Sequence, residues 1–426
     1  MREQWFVDGR FGMFVHFGLY SAAARHEWVQ TYERLTDDDY RTYFTHFDPD
    51  RFDARDLARR AKSTGMSYVV LTTKHHEGFA LWDTALSDFC SMQACGRDLV
   101  REYVDALRAE GLRVGLYHSL IDWHHPDFTI DGNHPRRGDA DVEAQNATKD
   151  MERYRAFLHG QVRELLTAYG RIDYLFFDFT YPESTDGLAG KSGADWDAER
   201  LLAMCRELQP EMLVNDRLGI PGDFVTPEQY QPTSPLTRDG APVLWEACQT
   251  MNGSWGYHRD NLDHKSAALL VQMLADSVSM NGNMLLNIGP DGRGAITPRD
   301  ERTLEEIGAW MRLHRDAIVG AGHADFTPPR EGVYTRRDDR LYLHLFSWPL
   351  GVVHLPGLAG KVTFARLLND GSWLRTTVSD PDQPAELMTP AGQAEGTLTV
   401  HLPVVRPDVL IPVIELTLTA EGGALT

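Results

Sequence analysis

The segment Tyr174-Leu-Phe-Phe-Asp178 is an apolar run that ends in a single carboxylate. Such a run is typical of a strand that is buried on both faces of a parallel sheet. A carboxylate at its end is costly to bury unless hydrogen bonds or opposite charges compensate it. In enzymes built as (β/α)8 barrels, catalytic groups cluster at the C-terminal ends of the strands. The segment therefore predicts a barrel strand, with Asp178 as a candidate nucleophile.

Similar apolar runs alternate with amphipathic stretches up to about residue 320, which predicts successive β/α units. The other strand candidates are Phe11–His16, Tyr68–Thr73, Arg113–His118, Met212–Asp216, Val243–Glu246 and Met284–Ile288. The helix candidates, with apolar spacing near 3.6 residues, are Ala54–Thr64, Arg97–Glu110, Met151–Tyr169, Ala198–Leu208 and Ser266–Met280. We predict an α/β fold with a (β/α)8-like TIM barrel over residues 1–325.

Beyond Pro328-Pro329 the pattern changes to short alternating runs separated by turn signals such as Asn369-Asp-Gly371. The runs are Leu341–Phe346, Gly351–Leu355, Lys361–Phe364, Thr397–His401 and Ile414–Leu418. Residues 326–426 are therefore predicted to form a C-terminal antiparallel β-sandwich.

The chain has 426 residues and a formal net charge of −20. This charge argues against a nucleic-acid or anionic-membrane partner, because phosphate binding depends on clustered Lys and Arg. The four cysteines include no CxxC pair, the start has no secretory-signal pattern, and no apolar stretch could span a membrane. These features predict a cytoplasmic protein, and the acidic surface is compatible with a homo-oligomer.

Histidines occur at the ends of several strand candidates, where their imidazoles could donate hydrogen bonds to ligand hydroxyls. They are His16, His75, His76 and His118. A metal-dependent barrel hydrolase is the alternative, since paired histidines can hold zinc or iron. However, His16 is followed by Phe17 and Gly18 rather than by a second histidine after one residue, and the chain has no HExxH motif. We therefore predict no metal and no cofactor.

Several carboxylates also fall at strand ends or in the loops that follow, namely Glu27, Asp216, Asp223, Glu228 and Glu246. Cleavage of a glycoside needs two carboxyl groups, which lie about 5 to 5.5 Å apart in retaining enzymes. One is ionised and attacks the anomeric carbon, while the other has a raised pKa and protonates the leaving group. Asp178 can be the first, and Glu27, Glu228 and Glu246 are contenders for the second.

A series of long motifs, in a fixed order over residues 5 to 320, resembles the α-L-fucosidases of glycoside hydrolase family 29. The motifs are Trp5-Phe-x-Asp-x-x-Phe11-Gly-x-Phe-x-His16-x-Gly-x-Tyr20, Lys74-His-His-x-Gly-Phe79-x-Leu-Trp82, Gly115-Leu-Tyr-x-Ser119-x-x-Asp-Trp123, Asn215-Asp-Arg217, Thr226-Pro-Glu-Gln229, Trp245-Glu246, Ser254-Trp-Gly-Tyr257 and Asn281-Gly-Asn-x-Leu-Leu-Asn-Ile-Gly-Pro290. Ordered motifs of this length are far more specific than any single short motif.

The resemblance implies a retaining exo-α-L-fucosidase without a metal, which acts by double displacement through a covalent fucosyl-enzyme intermediate. Asp178 matches the nucleophile of the family. Glu228 lies 50 residues further along in a polar loop and matches the usual position of the acid/base. Glu246, directly after Trp245, is either a partner of the site residues or the acid itself. The substrate would be a fucosylated oligosaccharide or glycoside.

Family contacts to fucose match His16, Glu27, Trp28, His75, His76, Arg217 and Trp255. The chain departs from the family at Phe176, where Trp is usual, at Phe179, where Gly is usual, and at His118, where Tyr is common. The Phe176 side chain keeps an apolar wall, and His118 can still form hydrogen bonds. Two further alternatives are an α-L-glycosidase for a galactose- or arabinose-like sugar, and a fucose-binding protein without catalysis.

Overall fold

The computed structural model describes residues 2–185, 187–378, 380–382 and 392–420, so the last six residues of the predicted C-terminal domain lie outside it. The α-helices are α1 (Gln4–Gly9), α2 (Leu19–Ala23), α3 (Val29–Tyr32), α4 (Asp37–Thr45), α5 (Ala54–Thr64), α6 (Ser91–Cys95), α7 (Leu99–Glu110), α8 (Val142–Asn146), α9 (Met151–Ala168), α10 (Gly193–Trp196), α11 (Ala198–Leu208), α12 (Ala267–Ser279) and α13 (Pro298–His314).

The strands of the first part are β1 (Phe11–Val15), β2 (Tyr68–Lys74), β3 (Arg113–Ser119), β4 (Tyr174–Asp178), β5 (Leu213–Val214), β6 (Thr237–Arg238), β7 (Ala241–Pro242), β8 (Glu246–Thr250) and β9 (Asn283–Ile288). The later strands are β10 (Gly332–Arg337), β11 (Arg340–Leu345), β12 (Val352–Leu355), β13 (Val362–Leu367), β14 (Thr376–Val378), β15 (Leu398–His401) and β16 (Val413–Leu418).

Seven parallel strands form one sheet in the order β5-β4-β3-β2-β1-β9-β8. The sheet is strongly curved, since side chains of β2 and β4 both reach Glu246 of β8. Residues 224–228 make isolated parallel bridges to Asn215 after β5, to Trp245 before β8 and to Cys248 in β8. The prediction of a (β/α)8-like barrel is thus confirmed only in part, because the described residues form a seven-stranded parallel sheet and not a closed eight-stranded barrel.

The long helices between these strands begin at side-chain caps. Asp53, Asp98 and Asp150 precede α5, α7 and α9, and each accepts hydrogen bonds from backbone N–H groups of the first turn. α5 and α7 both end at a glycine in the left-handed region, Gly65 and Gly111, where a side chain would be strained. These local signals explain why the helix bounds follow the sequence pattern closely.

Strand alternation decides which side chains reach the concave face of the sheet. In the parallel pairing of β3 with β4, Tyr117 lies beside Phe176 and Ser119 beside Asp178. Because successive side chains point to opposite faces, these residues share one face, while His118 and Phe177 share the other. The concave face therefore ends, at its C-terminal edge, in Asp178.

The C-terminal strands form two antiparallel sheets, β10-β11-β16-β13 and β12-β15-β14. Their apolar side chains share a second buried cluster that includes Leu343, Leu355, Val400 and Leu416. Other buried side chains of the larger sheet face the first part of the molecule. The Trp310 indole of α13 donates to the backbone oxygen of Ile411 at 2.7 Å, which fixes this contact.

Among the described helices, none is both long enough and apolar enough to cross a membrane.

Candidate active site

A cavity of about 500 Å³ opens at the C-terminal edge of the concave face. Most of the sequence-predicted site residues line it, namely Asp178, Glu228, His16, Glu27, Trp28, His75, Phe176, Arg217 and Trp255. They come from β4 and from the segments that follow β1, β2, β5 and β8, so residues far apart in sequence meet at one edge of the sheet. This is the position in which parallel α/β folds place their ligand sites.

Asp178 is held by two donors at the end of β4. The Tyr117 hydroxyl donates to its Oδ2 at 3.1 Å, and Nη1 of Arg217 lies 3.0 Å from its Oδ1. The side chain is 19% exposed, so it faces the cavity while remaining mostly covered. These two donors fix the orientation of the Asp178 carboxylate toward the cavity.

Arg217 joins the two predicted catalytic carboxylates. Its Nη1 lies 3.0 Å from Oδ1 of Asp178 and 2.7 Å from Oε2 of Glu228. Burial works against the charged guanidinium, but the neighbouring negative charges, with Asp178 the largest among them, raise the pKa of Arg217 well above its ordinary value. Its Nε donates to the Thr226 hydroxyl at 2.9 Å, which fixes the orientation of the group.

The contact of both carboxylates with Nη1 of Arg217 limits the distance between them. Oδ1 of Asp178 lies 3.0 Å from this nitrogen and Oε2 of Glu228 lies 2.7 Å from it, so the two oxygens cannot be further apart than the sum of these distances. Retaining glycosidases have carboxyl groups about 5 to 5.5 Å apart, whereas inverting ones need roughly 6.5 to 9.5 Å to admit a water molecule. The arrangement falls in the shorter class. Glu228 is 40% exposed, so it lies at the open side of the cavity.

His16 has a defined proton position. Nδ2 of Asn287 donates to the Trp255 backbone oxygen, which leaves Oδ1 of Asn287 as the acceptor 2.6 Å from Nδ1 of His16. Nδ1 must therefore carry the proton. Burial lowers the pKa of His16 to about 3, so the ring is neutral. Its Nε2 is then an acceptor, suited to a ligand hydroxyl.

Glu27 is a buried carboxyl in the cavity wall, and its Oε2 accepts from the Gly256 backbone N–H at 2.7 Å. Burial raises the pKa of Glu27 to about 7, against the hydrogen bonds that lower it. Near neutral pH it can therefore donate to or accept from a ligand hydroxyl. Aromatic side chains complete the walls, and Phe14 packs against Phe176 with ring centroids 5.3 Å apart.

A family model described as Alpha-L-fucosidase matches residues 1–316 of the chain. The chain belongs to the α-L-fucosidase family. This confirms the resemblance seen in the motifs, and the family consists of glycoside hydrolases. The mouse tissue α-L-fucosidase is 30% identical over 444 residues, which cover 95% of this chain and 89% of the relative.

Two solved structures show the same likeness in three dimensions. α-L-Fucosidase isoenzyme 1 from Paenibacillus thiaminolyticus is 44% identical with a TM-score of 0.90, and the match covers 98% of this chain and 99% of that one. An α-L-fucosidase from Bacteroides thetaiotaomicron is 27% identical with a TM-score of 0.84, covering 100% and 96%. The shared fold of the α-L-fucosidase family thus extends over the C-terminal sheets as well.

Two histidines predicted to bind substrate do not line the cavity of this α-L-fucosidase family member. The prediction for His118 is wrong, because alternation along β3 turns it to the opposite face, where Oγ1 of Thr73 lies 3.3 Å from its Nδ1. His76 packs between Trp28 and Trp123, with ring centroids 4.7 and 3.9 Å away.

Glu246 is not in the cavity either, so its prediction as a substrate-binding residue is wrong. The predicted strand Val243–Glu246 would end at this residue, but β8 begins there, which places it at the opposite end of the sheet from the cavity. Its carboxyl accepts hydrogen bonds from the hydroxyls of Tyr68 and Tyr174. Burial raises the pKa of Glu246 to about 7.

Replacing Glu246 by Gln should flatten the pH dependence of stability. The pKa of this carboxyl rises from 4.5 to about 7 on folding, so its contribution is fully present below pH 4.5 and is lost as the pH rises through 7. Urea unfolding midpoints at about pH 5 and pH 8 measure the slope. Glu27 and Glu77 have raised pKa values too, so a reduced slope is expected rather than none. An unchanged slope would contradict the assignment.

Sequence reasoning missed two residues that organise the site. Tyr117 donates to Asp178, and Asn287 orients both His16 and Trp255. Both lie inside motifs of the α-L-fucosidase family, at Gly115-Leu-Tyr and Leu-Leu-Asn287. The alternation of apolar and polar residues along each strand could have indicated their faces once Asp178 was assigned to the concave face.

One cluster among the described residues has atoms close enough to bind a metal ion. Ligand atoms of His75, His76 and Glu77 lie within 4.8 Å of one another, and all three residues are buried. Burial raises the pKa of Glu77 to about 8, which leaves a neutral carboxyl at neutral pH.

Proposed function

We propose that the protein is a retaining exo-α-L-fucosidase that hydrolyses terminal α-L-fucosyl units by double displacement. The observation that carries the proposal is the contact of both Asp178 and Glu228 with one nitrogen of Arg217. It supports a carboxylate pair at the short, retaining separation. A Bacteroides thetaiotaomicron α-L-fucosidase, 27% identical to this chain, has been trapped as a covalent intermediate with 2-fluoro-fucosyl fluoride.

In the first step, Oδ2 or Oδ1 of Asp178 attacks the anomeric carbon, and the bond to the leaving oxygen breaks. Glu228 gives its proton to that oxygen, so the aglycone leaves as a neutral alcohol. In the second step, Glu228 takes a proton from water, and the hydroxide attacks the same carbon to release Asp178. Two inversions return the original anomeric configuration.

The remaining cavity residues hold the sugar. The unprotonated Nε2 of His16 accepts from a ring hydroxyl, and Glu27 forms a second polar contact. The apolar face formed by Phe14, Phe176 and Trp255 suits the methyl group and C–H face of a deoxysugar. A hexose with a hydroxymethyl group would have to place a polar oxygen against these rings.

Proton NMR of the first product tests this proposal. With an aryl α-L-fucoside as substrate, we expect α-L-fucose to appear first and to mutarotate later. The same protein should act far more slowly on aryl galactosides and arabinosides, and a chelator should not change its rate. Initial formation of the β-anomer would overturn the retaining mechanism, and a preference for another glycoside would overturn the substrate.

A further inference from the structure

Phe179, directly after Asp178, has a backbone conformation that large side chains rarely adopt. Its φ is 78°, in the left-handed region. Among the described residues other than glycine with a positive φ, it is the one with a large apolar side chain. A bulky residue in this region is strained, and such strain persists where the surroundings fix the backbone and often accompanies a functional position.

Hydrogen bonds on both sides fix this backbone. The Leu120 N–H donates to the Asp178 backbone oxygen at 3.0 Å. After Phe179, the Thr180 hydroxyl donates to the Arg217 backbone oxygen at 2.8 Å and accepts from the Trp196 indole at 3.0 Å. Neither neighbour can rotate without breaking these bonds. Phe179 therefore bridges two fixed points, and its ring lines the cavity.

The next residue strengthens this restraint. Tyr181 exchanges two backbone hydrogen bonds with Lys191, each of 2.8 Å, and its hydroxyl donates to Asp131 at 2.7 Å. Asp131 is fully buried. The segment after β4 is thus fastened to the loop that follows β3, which leaves Phe179 little freedom to withdraw from the cavity.

The Phe179 ring lies beside two cavity residues that the family resemblance assigns to sugar contacts. It packs edge-on against Trp28 and His75, with ring centroids 5.6 Å away in both cases. Glu228, which must reach the leaving oxygen, contacts Arg217, and its side chain has no ring to pack against Phe179. The ring offers neither a donor nor an acceptor to a hydroxyl, so its effect on a ligand is to occupy space.

We propose that Phe179 determines specificity because its ring fills this side of the cavity. The enzyme then accepts only a terminal fucosyl unit whose hydroxyls next to the ring carry no substituent. A methyl ether, an ester or a second sugar on such a hydroxyl would need the volume that the ring fills. The backbone of Phe179 is fixed on both sides, and its ring is packed against Trp28, His75 and His76, so both restrain the ring in this position. This inference rests on the proposed fucosidase function.

Two variants separate the effect of the ring from the effect of the strain. Phe179→Gly removes both, whereas Phe179→Ala removes the ring and keeps a side chain in the left-handed region. Each is compared with the wild type on an aryl α-L-fucoside and on its three single methyl ethers at O2, O3 and O4. Both variants should raise kcat/KM for at least one ether, relative to the parent, by about tenfold or more. Phe179→Gly should also have a higher Tm than Phe179→Ala.

Unchanged relative rates on all three ethers, in both variants, would overturn the proposal. A change confined to the choice of leaving group would also overturn it, since the ring would then face the aglycone. A Tm of Phe179→Gly at or below that of Phe179→Ala would show that no strain is stored at this residue. The wild-type rate on the unsubstituted fucoside reports separately on the proposed function, so the two failures can be told apart.

Discussion

Asp178→Ala is expected to lower kcat on an aryl α-L-fucoside by roughly three to six orders of magnitude. The substitution removes the oxygen that would form the bond to the anomeric carbon. It also removes the acceptor of the Tyr117 hydroxyl and one of the two carboxylates that contact Arg217. Azide is small enough to enter the vacated space, so it should restore turnover and yield the fucosyl azide of inverted configuration. Steady-state kinetics with and without azide, and NMR of the product, measure both effects.

The matched control is Asp173→Asn. Asp173 directly precedes β4 and pairs with Arg113 and Arg171, at the end of the sheet opposite the cavity. This variant should keep its rate within a few-fold of the wild type. If Asp178→Ala were equally active, or if azide had no effect while a 2-fluoro-fucosyl reagent labelled another side chain, the nucleophile assignment would be wrong.

Glu228→Ala should have an effect that depends on the leaving group. A natural fucoside needs a proton on its departing oxygen, so kcat/KM for it should fall by about 10²- to 10⁴-fold. An activated dinitrophenyl fucoside leaves as a stable anion, so its first step should be nearly unchanged. Because the same Glu228 would activate water in the second step, the fucosyl-enzyme should accumulate and appear as a burst of dinitrophenol.

Two other glutamates provide the comparison for this experiment. Glu27 lines the cavity and has a raised pKa, whereas Glu246 lies at the other end of the sheet. Glu27→Gln should impair both substrates to a similar degree, as expected for loss of a sugar contact, and Glu246→Gln should impair neither strongly. A leaving-group-dependent loss in Glu27→Gln, with none in Glu228→Ala, would transfer the role of the acid.

Local patterns were enough to predict most of the parallel sheet and its helices. The apolar runs located β1 to β4 and β9 to within about a residue or two, and Asp53 and Gly65 mark the bounds of α5. The pattern was less informative around β8, because its strand, Glu246–Thr250, includes Cys248, Gln249 and Thr250. The strand also begins with a buried carboxyl, and the burial of Glu246 depends on its contacts with Tyr68 and Tyr174, which are distant in sequence.

The faces of the strands were harder to infer than the strands themselves. A one-residue difference separates Tyr117, which contacts Asp178, from His118, which faces away from the cavity. Only the register between β3 and β4 decides between them, and register depends on contacts across the sheet. The conformation of Phe179 likewise follows from its fixed neighbours and not from its own type. The cytoplasmic location and self-association stay predictions.

The contact between the C-terminal sheets and α13 limits how this chain can be divided. Tyr342, Ile411 and Val413 belong to the same buried cluster as the helices around the parallel sheet, and Trp310 donates its indole proton to Ile411. The last strands therefore stabilise the part of the molecule that contains the active site, and they do not form an independent unit. A chimera that fuses these sheets to another glycosidase would therefore have to include α13. Without this helix, the apolar side chains of Tyr342, Ile411 and Val413 would be exposed to water.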